Sequence, residues 1–185
     1  MPRLIILSGN SGVGKTYIIN NFNLLSDNVQ VVQKKTTRPA RSYESKDKTI
    51  ELIFYTPKRD ILNMDFKYGY REYYYGFNRS SIDQILAEGQ SPILVIRSVD
   101  CVRELKSVYK TAISILVKAE NKNLIYEKLN KLGCHPAEIQ QRINPEYELE
   151  LEREYEANID LFECVVYNSY TNRFILDLNN KLNSY

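Results

Sequence analysis

Along the chain, short unbroken apolar runs alternate with segments in which apolar residues recur every three or four positions. Residues 3–8, 30–33, 93–96, 113–118 and 163–167 are rich in Ile, Val and Leu with little polar alternation. That pattern fits strands buried on both faces of a parallel sheet. Between them, residues 80–86 place Ile82, Ile85 and Leu86 on one helical face, with a serine to cap the start and Gly89 to end it. Residues 121–142 read as a helix through Leu124, Ile125, Lys128, Leu129 and Leu132, stopped at Gly133 and restarted after Pro136. Strands alternating with helices predict an α/β fold, a parallel sheet core flanked by helices.

Two stretches have a different texture. Residues 36–75 hold many charges and tyrosines, with short alternating runs at 50–55 and 66–75, and read as a small mixed β insertion. In residues 145–158 glutamates stand at 146, 148, 150, 152, 154 and 156, the period of a strand. Tyr147, Leu151 and Tyr155 share the i, i+4 spacing of a helix, however, and Asn144-Pro145 suits a cap followed by a first-turn proline. A helix is therefore expected, with its glutamates forming a solvated face rather than binding metal. The polar residues 179–185 are expected to fray.

With 185 residues and no internal repeat or low-complexity linker, the sequence predicts one domain. Its expected parts are a core of residues 1–35, 91–120 and 143–185, an inserted lobe at 36–90 and a helical lid at 121–142. A formal charge of +2 gives no overall field for nucleic acid or a membrane surface. No apolar run approaches the ~20 residues that span a bilayer, so a soluble cytoplasmic protein is expected. Cys101, Cys134 and Cys164 are odd in number and lack metal-type spacing, and no secretory leader precedes them. Three reduced thiols are expected. Cys134 adjoins the single histidine, His135, so no separately placed base could activate it.

The chemistry begins directly after the first apolar run. Gly9-Asn10-Ser11-Gly12-Val13-Gly14-Lys15-Thr16 is a complete G-x-x-x-x-G-K-[ST] pattern between a strand and a helical segment. Glycines let successive N–H groups face one centre, Lys15 puts a compact charge on the β/γ phosphates, and Thr16 offers a hydroxyl to Mg²⁺. The following helix directs its positive end at the same anion. ATP with Mg²⁺ is the expected ligand.

Further on, Thr36-Thr37-Arg38-Pro39-Ala40-Arg41-Ser42-Tyr43-Glu44 carries two arginines three apart and an acid three beyond. Two guanidinium forks can hold one phosphate, although a pair of arginines alone also fits a solvated turn. The order of phosphate loop, T-T-R-x-x-R-x-x-E, Tyr74-Tyr75-Gly76 before a helix, the strand Ile93-Leu94-Val95-Ile96 and the late segment Val165-Val166-Tyr167-Asn168 resembles the guanylate kinase family over nearly the whole chain. That resemblance implies phosphoryl transfer from ATP to a nucleoside monophosphate, GMP in the family. It makes Arg38, Arg41 and Tyr75 holders of the acceptor phosphate, Glu44 the group that orients the arginines, and Arg142 a lid arginine on the phosphoryl group in flight. Lys15, Arg38 and Arg142 are the expected catalytic residues.

The departures fall on guanine recognition. Positions where the family reads the base hold Lys34, Phe66 and Phe77, and its two acids on the fourth core strand become Val95 and Arg97. Ile50 replaces a phosphate-binding tyrosine, and Lys128 and Lys131 stand for lid arginines. A one-residue shift would bring Asp65 into the place of one lost acid, and Glu72 is a second acid able to rescue base reading. Alternatives to GMP are a sugar phosphate such as ribose 1,5-bisphosphate, or a degenerate nucleotide-binding module. The partner is a small-molecule acceptor in either kinase reading.

Overall fold

The protein is described by a computed structural model that covers residues 1–25, 28–41, 44, 50–143 and 145–183. The apolar run after the N-terminus becomes β1 (Ile5–Ser8), which lies in the middle of a five-stranded, all-parallel sheet. Its strands run in the order β2 (Val29–Val31), β7 (Ser91–Val95), β1, β8 (Ile113–Ala119), β9 (Cys164–Asn168). All five expected core strands are present, with ends moved by at most two residues. In β1, Ile5 pairs with Ile93 on one side and Ile113 on the other.

Alternation within an unbroken apolar run explains how both faces are covered. Leu4 and Ile6 join one buried cluster with Leu94, Ile96 and Leu116, under α4 (Val99–Val108) and the aromatic hairpin. Ile5 and Leu7 join the other with Ile93, Val95, Ile115 and Val117, under α1 (Lys15–Leu25), α5 (Lys122–Lys131) and α8 (Asn172–Asn183). Burial on both faces keeps these strands mostly apolar, and of the polar side chains they bury, Ser114 and Asn168 are hydrogen-bonded.

A second sheet, ordered β4 (Leu52–Ile53), β3 (Lys34–Thr36), β6 (Tyr73–Phe77), β5 (Phe66–Tyr70), is mixed: β3 pairs parallel with β4 and antiparallel with β6. The alternating run at 66–75 is thus two strands, turned at Arg71, which adopts φ 53. A short helix, α2 (Lys58–Leu62), was not anticipated. It lies so close to β6 that a Cβ on Gly76 would stand 2.9 Å from Ile61 Cγ2.

Three expectations need correction. The helix after the hairpin, α3 (Arg79–Ala87), starts at Asn78 and not at a serine; its first N–H, from Arg79, goes to the Asp65 carboxylate at 2.8 Å. Gly89 ends it with φ +78, as the pattern requires. The polar tail is helical through Asn183 in α8, because Ile175 and Leu178 anchor that helix in the core. In α7 (Pro145–Ala157) Leu151 and Tyr155 are buried as expected, but Tyr147 is half exposed. The proposed Asn144 cap lies outside the described residues.

The pair α5 and α6 (Pro136–Arg142) is the expected helix–turn–helix, joined through Gly133. All three cysteines are buried and free. Among the described residues no helix is long and apolar enough to cross a membrane.

Candidate active site

The Gly9–Thr16 segment leaves the C-terminal end of β1, between β7 and β8, where parallel sheets open a crevice for ligands. Gly9 at φ +137 and Gly14 at φ +89 hold the curl of the backbone. A Cβ on Gly9 would overlap the Val117 carbonyl oxygen, and one on Gly14 the Asn168 amide, so the pattern's glycines are needed for space as well as for angle. The end of β9 braces the loop: Asn168 Nδ2 donates to Val13 O at 3.0 Å, and the Tyr170 hydroxyl donates to Gly12 O. On the other side Gly9 N–H donates to the Tyr155 hydroxyl at 3.3 Å, and that hydroxyl donates to Arg97 O at 3.2 Å.

Inside the curl, Lys15 donates to the carbonyl oxygens of Gly9 and Asn10. Burial pulls its ammonium well below the usual lysine range, helped by Arg97 and opposed by Glu148 and Glu51. Glu148 of α7 is not part of a solvated face. Its Oε2 accepts the Ser11 N–H at 2.8 Å, and its Oε1 accepts from Tyr70 Oη and Arg71 Nη2, both at 3.0 Å. Period-two spacing around a helix sends one glutamate inward wherever a donor awaits it, and here the donor is the loop itself.

A cavity of about 450 Å³ runs from this loop into the second sheet. Gly12, Gly14, Lys15 and Thr16 of the loop line it, together with Arg38, Arg41, Glu44 and Tyr75 of the second sheet and its connections and Arg142 of α6. Gly9, Asn10 and Val13 complete the loop behind this lining, while Ser11 faces a smaller adjoining cavity. The two arginines converge on one carboxylate. Arg38 makes a bidentate pair with Glu44 at 2.8 and 2.9 Å, while Arg41 reaches it by its backbone N–H at 2.9 Å and its side chain at 3.3 Å. Burial disfavours both charges, but these bonds outweigh it, raising the Arg38 pKa and lowering that of Glu44. Tyr75 is stacked on Tyr68, ring centres 5.3 Å apart. Arg142, the last residue of α6, lies near Cys134 Sγ at 4.0 Å. Burial raises the Cys134 thiol above its usual range, which does not suit it for nucleophilic chemistry.

The residues at the guanine-reading positions have two fates. Phe66 and Phe77 stack in the core at 5.3 Å. Lys34, Val95 and Arg97 line the cavity. Lys34 is 3% exposed and donates to Val95 O; burial lowers its pKa to about 8, against the opposing pull of Glu51. Arg97 lies over the Tyr70 ring at 4.7 Å. Asp65 is spent on the start of α3 and does not line the cavity, whereas Glu72 reaches only the smaller one. Lys128 lines the cavity over the Tyr170 ring, and Lys131 is exposed.

Besides Glu148, a second carboxylate carries no sequence motif. Glu51 stands just before β4, 8% exposed, with Oε1 3.2 Å from the Thr16 hydroxyl and Oε2 buried without a hydrogen-bond partner among the described residues. Its only sequence signal is a single acid inside the alternating run Ile50-Glu51-Leu52-Ile53.

Comparison with known proteins agrees with this arrangement. The family model described as guanylate kinase matches residues 1–185. A guanylate kinase of Porphyromonas gingivalis is 30% identical over 182 residues, covering 89% of this chain and 93% of that protein. One from Methylobacillus flagellatus is 26% identical over 178 residues, covering 95% and 85%. The crystal structure of guanylate kinase from Anaplasma phagocytophilum superposes with a TM-score of 0.68 at 16% identity, over 99% of this chain and 85% of that one, a likeness of fold. With its phosphate loop, second sheet and full-length match to that family, the chain belongs to the guanylate kinase family and is a nucleotide kinase, a phosphotransferase.

Proposed function

We propose that the protein transfers the γ-phosphoryl group of ATP to the phosphate of a nucleoside monophosphate, GMP by family membership, with weaker selection for guanine than the family norm. The observation that carries this reading is one cavity lined both by Lys15 and Thr16 of the loop and by Arg38, Arg41, Tyr75 and Arg142. In it, Lys15 neutralises the β/γ phosphates, and Arg38 and Arg41 hold the acceptor phosphate at an angle set by Glu44. Arg142 steadies the group in transit. The acceptor oxygen is already ionised at neutral pH, so no general base is needed. Residues 121–142 act as the lid over residues 36–90 and exclude water.

The site also fits Mg²⁺. Thr16 supplies a hydroxyl beside a buried carboxylate with one oxygen unpartnered, and hard oxygen donors suit that ion. Bound with the nucleotide, Mg²⁺ would neutralise charge on the phosphates; Thr16 would hold it.

Selection for the base follows from the same side chains. Lys34 and Arg97 are donors, Val95 is apolar, and Phe66 and Phe77 face the core, so acceptors for the N–H groups of guanine are few. The test is ADP release with ATP, Mg²⁺ and a panel of nucleoside monophosphates. Turnover with GMP, preferred over AMP by less than ~100-fold, is expected, since a site built to hydrogen-bond a base reaches more. Binding of ATP without turnover of any monophosphate overturns the proposal.

A further inference from the structure

We propose that Glu51 is the carboxylate which, with the Thr16 hydroxyl, holds the Mg²⁺ carried by the nucleotide. The inference rests on the reading of the loop as an ATP site and assigns a part of it to the second sheet.

A buried carboxylate oxygen without a partner asks for an explanation, and an ion is one of the few available. Glu51 has no ion pair among the described residues, although Lys15 and Lys34 are near enough to feel its charge. Its one side-chain bond, from Thr16 at 3.2 Å, is long for a hydroxyl donating to a carboxylate, which settles at roughly 2.5–2.7 Å when strong. The group is therefore buried, charged and under-used.

The remaining acids point the same way. Among the described residues, the carboxylates lining the cavity are Glu44 and Glu51. Glu44 is spent on Arg38 and Arg41, and Glu148, behind the loop, has both oxygens engaged by Ser11, Tyr70 and Arg71. The end of β7 and the residues directly after it line the cavity with Val95 and Arg97, and with no acid.

Position favours Glu51 as well. Lys34 N–H donates to the Glu51 carbonyl at 2.9 Å and β4 pairs with β3 at Lys34 and Leu52, so the main chain under this carboxylate is fixed. No group of three or more metal-binding side chains occurs among the described residues. A hydroxyl and one carboxylate are nevertheless enough for Mg²⁺, which keeps several waters and takes its other ligands from nucleotide phosphates. A plain counter-ion for the lysines would be expected to pair with one of them directly.

Calorimetry with ATP in Mg²⁺ and in EDTA, on the wild type, E51Q and E51D, tests the assignment. The wild type binds ATP more tightly with Mg²⁺. In E51Q that gain falls by about 10–100-fold, the scale seen when groups supporting a metal are removed. The affinity in EDTA stays level or rises, since a negative charge has left the phosphates' surroundings, and E51D keeps part of the gain. The spectrum of Mn²⁺ bound with ATP, read by electron paramagnetic resonance, changes in E51Q. If the wild type binds no ATP, the loop reading fails and takes this inference with it. If the wild type shows the gain and both variants keep it, Glu51 alone is wrongly assigned. A rise only in the KM for GMP, with the Mg²⁺ gain intact, makes Glu51 an acceptor ligand and overturns the proposal. Thermal melts of each variant establish folding, and E51D carries the test where E51Q does not fold.

Discussion

The loop side and the second-sheet side of the cavity are built on different principles. On the loop side the charge-receiving surface is mostly backbone, curled by Gly9, Gly12 and Gly14 and braced by Asn168, Tyr170 and Tyr155. On the second-sheet side it is made of long cationic side chains, Arg38 and Arg41, with Glu44 bonded to both. A backbone cradle fixes geometry and changes little when neighbouring side chains change. A side-chain cradle can be rewritten one residue at a time.

Lys15→Ala gives the largest expected effect, because Lys15 is the charged side chain on which the loop side depends. ATP turnover should fall ~100–1,000-fold, comparable with removal of a main electrostatic stabiliser. Steady-state kinetics showing a loss below tenfold would erase the division between the two sides.

Lys34, a cavity cation near both Lys15 and Glu51, tests the lining through pH. Burial depresses its pKa in the folded protein to about 8 from 10.5. The cost of holding a buried charge is therefore fully present below pH 8 and is relieved as pH rises from 8 to 10.5. Over that window the wild type should gain on the order of 3 kcal/mol of stability relative to Lys34→Met. Denaturant melts in which the two proteins keep a constant gap would show Lys34 to be solvated. The acceptor KM should also rise above pH 8 in the wild type as this cation is lost.

Arg41→Ala should raise the acceptor KM by about 10–100-fold while changing that of ATP little, the scale of losing a charged hydrogen bond. Equal changes in both constants would mean that the two sides are not separable. The smallest effect is expected for Glu148→Gln. Removing a negative charge from the Ser11 N–H should tighten ATP binding by up to ~5-fold, in line with a partly screened interaction. Weaker binding would make Glu148 a brace for the loop and nothing more.

The same contrast governs what could be read from the sequence. The strands and the loop were legible because a doubly buried strand and a glycine curl each demand particular residues at fixed places. Glu148 was not, since its neighbours at 146 and 150 offer the same local pattern and only tertiary packing chooses which one meets Ser11. Glu51 was missed for a similar reason: its value comes from β4 lying beside β3, a pairing between distant runs. The start of α3 was misplaced because Ser80 and Ser81 look like caps, while the carboxylate that takes the first N–H comes from Asp65. Arg38, Arg41 and Glu44 were legible as a motif, and the structure brings them together. The fates of Phe66 and Phe77 were not, because a register count cannot say which face of a hairpin turns to the core.

The braces of the loop also have a bearing on folding order. Gly9 is tied to Tyr155, Val13 to Asn168 and Gly12 to Tyr170, contacts 146, 155 and 158 residues apart. Such separations slow folding, because the chain must close long loops before the contact is gained. During synthesis the glycine curl emerges first, yet its partners arrive in the last fifth of the chain. The phosphate cradle should accordingly take shape late, after β1, β7 and β8 have paired, and a nascent chain released before β9 would carry the whole motif without its binding geometry.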